Sequence, residues 1–469
     1  MKASHKINIG SLLFLLIAFH LGAQSLAVKL PDEPKANTRL LASAEYAQAS
    51  IMPAATPTET TPTLLTRQQA EKIALANNPR IRVSQLVAKI QHQVARERRS
   101  DELPNVGGNI TAVTANTGSR ISSGYLTASS LLEHAGMGVQ VNQLITDFGR
   151  TRNLVASAQL QEKARVADAE ASGQEIVLAT DQVFYAVIEA QETLKVAEQT
   201  VASRQTLTDQ VSALTSSKLR SDLDLSFAQV NLSQAKLLQL NAQNDLDAAK
   251  AALSAVLGYD RQMDIQLVDD EATLPPLPAD SAILIAQAMQ NRPDLQSLKY
   301  SEQAAQKFSK AQHEQILPTI SAMGVAGGTP VGSSQYFTSD WYGAVGGNVS
   351  IPIFNGFRFA SQTAEARLQA QAAAERTRAL REQVARDVRT AWLNANTALQ
   401  KVTVTTELLK QANTALDLAK TRYDLGLSSI VELSQAELQQ TEAAIGNANA
   451  RSQYNFAIST INIQAGVQP

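Results

Sequence analysis

The chain has 469 residues, 44% of them apolar, which is enough to bury a large core and argues against intrinsic disorder. Lysine and arginine number 41 against 43 aspartate and glutamate residues, so the formal charge of −2 provides no field that would attract nucleic acid. The lack of cysteine excludes disulfides, thiol catalysis, cysteine-ligated zinc and lipid attachment at a cysteine.

The first 27 residues have the three parts of a secretory signal peptide. Basic residues precede an apolar run from Leu12 to Phe19, and small residues lead up to Ala27. We therefore expect residues 1–27 to be removed and the mature chain to be exported. Residues 28–63 are rich in Pro, Thr and Ala without a sustained period, which is typical of a linker or an extended tail.

The rest of the sequence consists of two copies of one plan. Pro79 recurs as Pro293 at an offset of 214 residues, and Gly258 recurs as Gly466 at an offset of 208. Repetition of this kind predicts two structural repeats that share one order of elements.

Each repeat is predicted to contain a helix, a β-hairpin, a long helix and a return helix. The first repeat is predicted at 64–258 with its hairpin at 105–148, and the second at 281–469 with its hairpin at 319–355. The proline-containing segment 259–280 is the predicted linker between them.

The first helix of each repeat carries recognisable start and stop signals. Thr66 and Asp280 occupy N-cap positions, and Gln69 would complete a capping box in the first repeat. Pro79 and Pro293 interrupt these helices, because proline disfavours the helical conformation of the residue before it.

The hairpins are predicted from alternation of apolar residues with glycine or polar residues. Met137 to Val141 follow this pattern in the first repeat, and Val345 to Ile353 follow it in the second. A period of two residues predicts half-buried strands. In a membrane strand of this register, Val349 and Ile351 would face lipid.

The long helices are predicted from apolar or small residues that recur every 3.5 residues, a period that specifies coiled-coil packing. Their many alanines allow close approach of neighbouring helices. The predicted seam positions are Ile176, Thr180, Val183, Val187, Ala190, Leu194, Ala197 and Val201 in the first repeat and Val384, Val388, Ala391, Ala395, Ala398, Val402, Thr405, Leu409, Ala412, Leu416 and Ala419 in the second.

Four strands of about ten residues cannot close a barrel in one chain, and an open sheet edge is not viable facing lipid. The strands must therefore close with other subunits, two chains giving about eight strands and three giving about twelve. Aromatic residues near the hairpin turns either mark the membrane interface at the outer rim or form an ordinary surface cluster on the sheet. They are Tyr125, Tyr336, Phe337, Trp341 and Tyr342.

Catalysis has little support in the sequence. The five histidines are scattered, and none has a helical spacing to a second histidine or a carboxylate that is typical of a metal site. We therefore expect no catalytic residue, no metal site, no cofactor and no enzymatic activity.

The duplicated order of elements resembles the TolC-type outer-membrane efflux protein family. The resemblance extends over roughly residues 64–467 and is carried by the motif PIFNGFR at the second strand exit and by RYDLGLSSIVELSQAELQQTEA at the second helical turn. It implies a homotrimer with a twelve-stranded β-barrel in the outer membrane of a Gram-negative bacterium. That barrel would be continuous with a long α-helical coiled-coil barrel across the periplasm.

The resemblance also implies a function and partners. The chain would be a passive conduit for small-molecule efflux or type I protein secretion. It would dock on a periplasmic adaptor (membrane fusion) protein and an inner-membrane pump of the RND, ABC or MFS type, and its barrel would contact outer-membrane lipid. The alternative is a secreted or periplasmic coiled-coil scaffold or adhesion protein. This alternative explains the 3.5-residue period of the helices but not the paired strands, which are long enough to cross a membrane.

Two short segments are predicted to lead from a membrane strand into a periplasmic helix. Gly149 and Arg150 lie at the first of these junctions, and Pro352, Gly356 and Arg358 lie at the second. Glycine supplies a permissive backbone there, and proline is compatible only with a strand end or edge.

The resemblance places a gate at the helical turns farthest from the membrane. It implies that Tyr423 and Asp224 link helix pairs and hold the pore shut, and that Glu432 belongs to an acidic ring at the aperture. The sequence departs from the family pattern at two positions. Gln435 stands where the pattern has a second acidic residue, and Ser428 stands where it has a basic residue.

The same turns would contact the adaptor, and the alternative interpretation is that they are merely solvated helix ends. Gly426 suits the position after a helix C-terminus, where a left-handed conformation is common. The predicted contact residues are Lys218, Leu219, Arg220, Gly426, Leu427 and Ser428.

Overall fold

Two pairs of long antiparallel helices dominate the chain, which is described here by a computed structural model. The predicted signal peptide, nearly all of the predicted tail, and Tyr125, Tyr336 and Phe337 lie outside the described residues. The described residues are 63–113, 120–123, 126–130, 134–261, 263, 265–268, 274–328 and 341–467.

The described helices form two successive sets of four, and α3 and α7 each have 67 residues, which at ~1.5 Å rise per residue is about 100 Å of helix. None of the described helices combines the length and the apolar character needed to cross a bilayer. The helices are α1 (Arg67–Asn77), α2 (Pro79–Ser100), α3 (Arg150–Ser216), α4 (Asp222–Val256), α5 (Ser281–Asn291), α6 (Pro293–His313), α7 (Arg358–Asp424) and α8 (Ile430–Gln464).

The predicted helix signals are confirmed. The Thr66 hydroxyl accepts from the Gln69 amide, and the Gln69 side chain accepts from the Thr66 amide, which completes the capping box. Asp280 caps α5 through the amide of Ala282 at 2.9 Å. A break falls before Pro79 and before Pro293, where α2 and α6 begin.

The strands in the described part of the chain form three small sheets, and the largest contains both predicted hairpins. Its order is β2-β5-β7-β8, with every neighbouring pair antiparallel, so the two hairpins lie side by side. The strands are β1 (Thr63–Leu65), β2 (Asn105–Val113), β3 (Arg120–Ser123), β4 (Leu126–Ser130), β5 (His134–Thr146), β6 (Ile265–Leu267), β7 (Thr319–Gly328) and β8 (Trp341–Ser350).

The strand prediction extends too far at the end of β8. The strand ends at Ser350, which pairs with Thr319, the first residue of β7. To extend the pairing, Pro318 would have to join β7 and Pro352 would have to join β8. Proline has no N–H to donate to a neighbouring strand, so the pairing stops. β8 therefore ends one residue before Ile351, whereas Val349 lies within it, and the expectation that both side chains face lipid stays a prediction.

The predicted coiled-coil seams are confirmed, since every one of the positions predicted for α3 and α7 is buried or half-buried. Within each repeat the long helix packs on its return helix, α3 on α4 and α7 on α8. Alanines such as Ala395 and Ala412 are buried in α7, which allows the close packing that the sequence indicates.

Three core clusters hold the helices together. One packs α1, α3 and α4 near the start of the first repeat, with Phe184 and Leu253 fully buried. A second packs α5, α7 and α8 around Val388 and Tyr454. The third joins the distal ends of both helix pairs around Tyr423.

Two parts of the fold were not predicted. The parallel pair β1–β6 ties the start of the first repeat to the predicted linker. The pair β3–β4 lies in what the sequence suggests is a turn region. Both pairs involve strands of only three to five residues, too short for a period of two to be detected.

Candidate functional site

The distal turns of the two helix pairs are built alike. The Leu219 amide donates to the Leu214 carbonyl at 2.8 Å, and the Leu427 amide donates to the Arg422 carbonyl at 2.8 Å. This six-to-one hydrogen bond is that of a Schellman motif, which satisfies carbonyls at a helix C-terminus. Leu219 and Leu427 then project into solvent, 71% and 67% exposed.

The residue in the left-handed position differs between the two turns. Gly426 has φ 72°, as its sequence context predicts, whereas the matching residue in the first turn is Lys218 with φ 60°. A side chain in this conformation costs about 1 kcal/mol. The first turn therefore stores backbone strain that the second avoids.

Tyr423 lies at the centre of the third core cluster, 4% exposed, where both turns meet. The Arg220 guanidinium stacks over its ring at 4.6 Å from the centroid, and Nη2 of Arg220 donates to the Tyr423 carbonyl at 3.4 Å. Burial raises the pKa of the Tyr423 hydroxyl. A cation–π contact of this kind links the first turn to the end of α7.

The predicted hydrogen bond between Tyr423 and Asp224 is not formed within the protomer. Asp224 is the third residue of α4 and accepts from the Ser221 amide at 3.4 Å, as part of a capping box. The Tyr423 hydroxyl is buried and has no hydrogen-bond partner among the described residues. Arg220, rather than Asp224, makes the contact between the turns.

Glu432 lies in the first turn of α8 and forms an ion pair with Arg422 of α7 at 3.2 Å. Both side chains are about half exposed, so water screens this pair. Gln435, at the second acidic position of the family pattern, is exposed, and the half-buried Ser428 hydroxyl has no partner among the described atoms. Arg422 therefore offsets part of the negative charge that Glu432 brings to this surface.

The link through Arg220 was missed by sequence reasoning, although a signal existed. Arg220 stands 208 residues before Ser428, which is the offset between the repeats. The basic residue that the family pattern expects at 428 is thus present at the matching position of the other turn. Aligning the repeats residue by residue would have found it.

A group of buried and half-buried polar residues connects the two helix pairs behind the turns. Nε of Arg204 in α3 lies 3.7 Å from Oε2 of Glu437 in α8, and Nη1 of Arg204 donates to the Asn231 carbonyl at 2.9 Å. The Asn231 amide in turn donates to the Ser434 hydroxyl at 2.7 Å. Burial raises the pKa of the Glu437 carboxyl, although the charge of Arg204 opposes the shift.

The strand-to-helix junctions have two successive left-handed residues each, in opposite order. Phe148 (φ 58°) precedes Gly149 (φ 107°), whereas Gly356 (φ 62°) precedes Phe357 (φ 63°). A left-handed pair turns the chain sharply without a loop, which positions the long helix directly after the strand. Both phenylalanines are exposed.

The predicted junction residues lie at these turns. Arg150 and Arg358 are the first residues of α3 and α7, and Pro352 lies in the segment between β8 and α7. Sequence reasoning missed the capping residue Asp147, whose Oδ2 accepts from the Thr151 amide at 2.7 Å. It occupies a buried position two residues before the glycine.

No group of three or more His, Cys, Asp or Glu side chains in the described part of the chain is arranged to hold a metal ion. The site thus consists of helix ends, an aromatic–cation contact and exposed leucines. Two unbroken 67-residue helices, α3 and α7, join these turns to the four-stranded sheet.

Comparison with known proteins identifies the family. The sequence matches the profile described as "Outer membrane efflux protein" over residues 72–259 and 284–462, and the chain belongs to this family. The protein is therefore an efflux channel of the outer membrane.

Curated relatives agree with this assignment. The chain is 24% identical over 418 residues to the outer membrane protein TolC of Escherichia coli strain K12, covering 85% of this chain and 81% of TolC. It is 24% identical over 356 residues to the outer membrane efflux protein BepC of Brucella suis, covering 73% of each chain.

Solved structures show the same fold. The outer-membrane channel OprN superposes with a TM-score of 0.75 at 18% identity, covering 86% of this chain and 90% of OprN. The open state of the Neisseria gonorrhoeae MtrE outer membrane channel superposes with a TM-score of 0.73 at 19% identity, covering 86% and 89%.

Proposed function

We propose that three copies of the chain form the channel, with a twelve-stranded barrel in the membrane and a helical barrel below it. The observation that carries this proposal is the four-stranded sheet, in which β2 and β8 each pair on one side only among the described residues. Unpaired strand edges are not viable in lipid, and three sheets of four strands close into one barrel.

Exposure along β8 supports the same assembly. Its residues are exposed on both faces in the single protomer, and Val345 in mid-strand is 92% exposed. Lipid on one face and a neighbouring strand at the edge would cover the apolar part of this surface. Trp341, at the start of β8 and on the same face as Val345, would then lie at the outer membrane interface, where aromatic side chains are enriched, whereas Tyr342 lies on the opposite face.

The distal turns form the gate in this proposal. Arg220 stacks on Tyr423 in each protomer and holds the two helix pairs together, and Glu432 contributes to an acidic surface around the threefold axis, partly neutralised by Arg422. Asp224 supports the gate by capping α4. Rings of acidic side chains favour cations over anions.

The tips also provide the contact with a periplasmic adaptor, which connects the channel to an inner-membrane pump of the RND, ABC or MFS type. Exposed leucines at these turns offer an apolar docking surface. The proposed contact residues are Lys218, Leu219 and Arg220 in the first turn and Gly426, Leu427 and Ser428 in the second, of which Lys218, Leu219, Gly426 and Leu427 are exposed. The cargo of such a conduit is either small molecules or secreted proteins.

Single-channel recording in planar bilayers tests the gate. Each Arg220–Tyr423 contact contributes about 1 kcal/mol, so Arg220→Ala in all three copies should raise the resting open probability by roughly a hundredfold. Tyr423→Phe is the matched control, since it keeps the ring and removes only a hydroxyl without a hydrogen-bond partner among the described residues. Unchanged conductance in Arg220→Ala would place the constriction elsewhere.

The same recordings test the acidic surface and the assembly. Glu432→Gln should lower the cation preference, and Arg422→Gln should raise it, because the two charges oppose each other 3.2 Å apart. A detergent-extracted oligomer whose mass corresponds to three chains is expected from outer membranes. A monomer, or a freely soluble protein, would contradict the trimeric barrel.

A further inference from the structure

A buried pair of acids lies far from the distal turns, where α1 and α8 pack against α3. Glu71 of α1 and Asp181 of α3 are both buried, and Asp181 is fully inaccessible. Nη1 of Arg67 lies 2.7 Å from Oε1 of Glu71 and 3.5 Å from Oδ2 of Asp181. The Ser459 hydroxyl of α8 donates to Oδ2 of Asp181. The cluster thus joins three helices drawn from both repeats.

Hydrogen-bond accounting favours a proton in this cluster. The two buried carboxylates share one guanidinium nitrogen of Arg67, and while both are ionised they can only accept. Oδ1 of Asp181 is buried and receives no donor among the described atoms while both acids are ionised. A proton on either acid provides a donor within the cluster.

The second repeat shows that the fold does not need an acid here. The residue that matches Glu71 at the repeat offset of 214 is Ile285, which packs half-buried against the core of the second repeat. The residue that matches Asp181 at the offset of 208 is Arg389, which is exposed. The acid pair is therefore a feature of the first repeat alone, at a position where an apolar side chain also packs.

We propose that Glu71 and Asp181 share one proton and that its loss loosens the packing of α1 and α8 on α3, which makes this junction sensitive to pH. This inference holds whether or not the trimeric gate described above is correct. The charged groups that act on the pair are Arg67 from α1 and the two acids themselves, and α8 contributes the neutral hydroxyl of Ser459.

The direction of the pH effect follows from the shifted titration. Burial and the charge of Asp181 raise the pKa of Glu71 from 4.5 to about 7. Burial also raises the pKa of Asp181, so the two groups titrate as one pair. A carboxyl with a raised pKa stabilises the packed state fully below its ordinary pKa and loses that contribution as the pH rises to about 7. The equilibrium constant for packing should therefore fall roughly tenfold per pH unit between the ordinary pKa of 4.5 and about pH 7, and it should level off above about pH 7.

Hydrogen–deuterium exchange of the full-length oligomer in detergent tests the proposal. Protection factors for amides of α1 and of α8 near Ser459, corrected for intrinsic exchange, should fall by up to roughly tenfold per unit from about pH 5 to about pH 7. Glu71→Gln keeps a neutral donor to Asp181. Its protection factors should therefore stay at every pH as high as those of the wild type at low pH. Glu71→Ile, which installs the side chain of the second repeat, should also abolish the pH dependence.

Two further readouts separate the acid pair from a general pH effect. Glu189→Gln removes another half-buried acid of α3, whose pKa is raised by burial alone, and should leave the pH dependence of α1 unchanged. Infrared difference spectra between about pH 5 and about pH 8 should show a protonated carboxyl band that Glu71→Gln removes. A pH-independent wild type, or an equal slope in Glu71→Gln, would overturn the proposal.

Discussion

Replacing Val388 with aspartate tests the packing that joins α7 to the rest of its repeat. Val388 is 1% exposed and belongs to the core cluster that contains Val384, Ala391 and Tyr454. An ionised carboxylate in this position has no partner, so the new side chain is expected to take up a proton. The loss of stability in this variant therefore measures how completely the seam is buried away from water.

Two contributions set the magnitude. Keeping an aspartate of ordinary pKa ~3.9 protonated at about pH 7 costs roughly 4 kcal/mol, at about 1.4 kcal/mol per pH unit. Losing the buried valine side chain costs about 2 kcal/mol more. The total of about 6 kcal/mol is a large part of the 5–15 kcal/mol that stabilises an ordinary domain. The protonation cost should largely disappear near pH 4.

The assay is the yield of heat-modifiable oligomer in outer membranes, followed by thermal dissociation of what assembles. Val388→Asp should lose most of the oligomer near neutral pH, and Val388→Asn should remain equally defective near pH 4, where the aspartate variant partly recovers. Thr390→Asp provides the matched control on the same helix, since Thr390 is exposed. Wild-type yield and dissociation temperature in Val388→Asp would show that this seam is not buried.

The remaining predictions concern the strands and the turns. Val345→Lys should cost about 2–4 kcal/mol as a lipid-facing charge in mid-strand, Val349→Lys near the strand end about 0–1 kcal/mol, and Ala344→Lys on the opposite face should be tolerated, all measured as oligomer yield. Equal yields at Val345 and Ala344 would refute the register. Lys218→Gly should stabilise the first turn and Gly426→Ala should destabilise the second, each by about 1 kcal/mol in denaturant titration. Stability changes of the opposite sign would refute the strain argument.

The helices were predictable because their signals are local and repeated. The capping box at Thr66, the breaks at Pro79 and Pro293, and the 3.5-residue stripes each depend on residues a few positions apart. Two copies of each signal in the same order reduced the ambiguity further. The strands of the four-stranded sheet were predictable from alternation, except where the missing hydrogen-bond donor of Pro352 ends β8 before Ile351. The short strands β1, β3, β4 and β6 were not predictable in this way.

The candidate site was less accessible to sequence reasoning because its contacts join distant residues. Arg220 and Tyr423 are 203 residues apart, and only the fold shows that the arginine covers the ring. The sequence around Asp224 is compatible with a gate residue and with the third residue of a helix that completes a capping box. Within the protomer Asp224 forms the capping box. Glu71 and Asp181 carry no local pattern that would distinguish a buried acid pair from solvated charges.

The contacts within and between the helix pairs differ in character, and the difference bears on the proposed gate. Within each helix pair the contacts are largely apolar, and separating them costs free energy in proportion to the apolar area exposed to water. Between the pairs, Arg204 meets Glu437 and Asn231 meets Ser434 as polar partners, which regain hydrogen bonds with water when they separate. The same pairs also share the apolar cluster around Tyr423 at their distal ends. Opening of the proposed gate therefore has to break the contact between Arg220 and Tyr423 and expose that cluster to water.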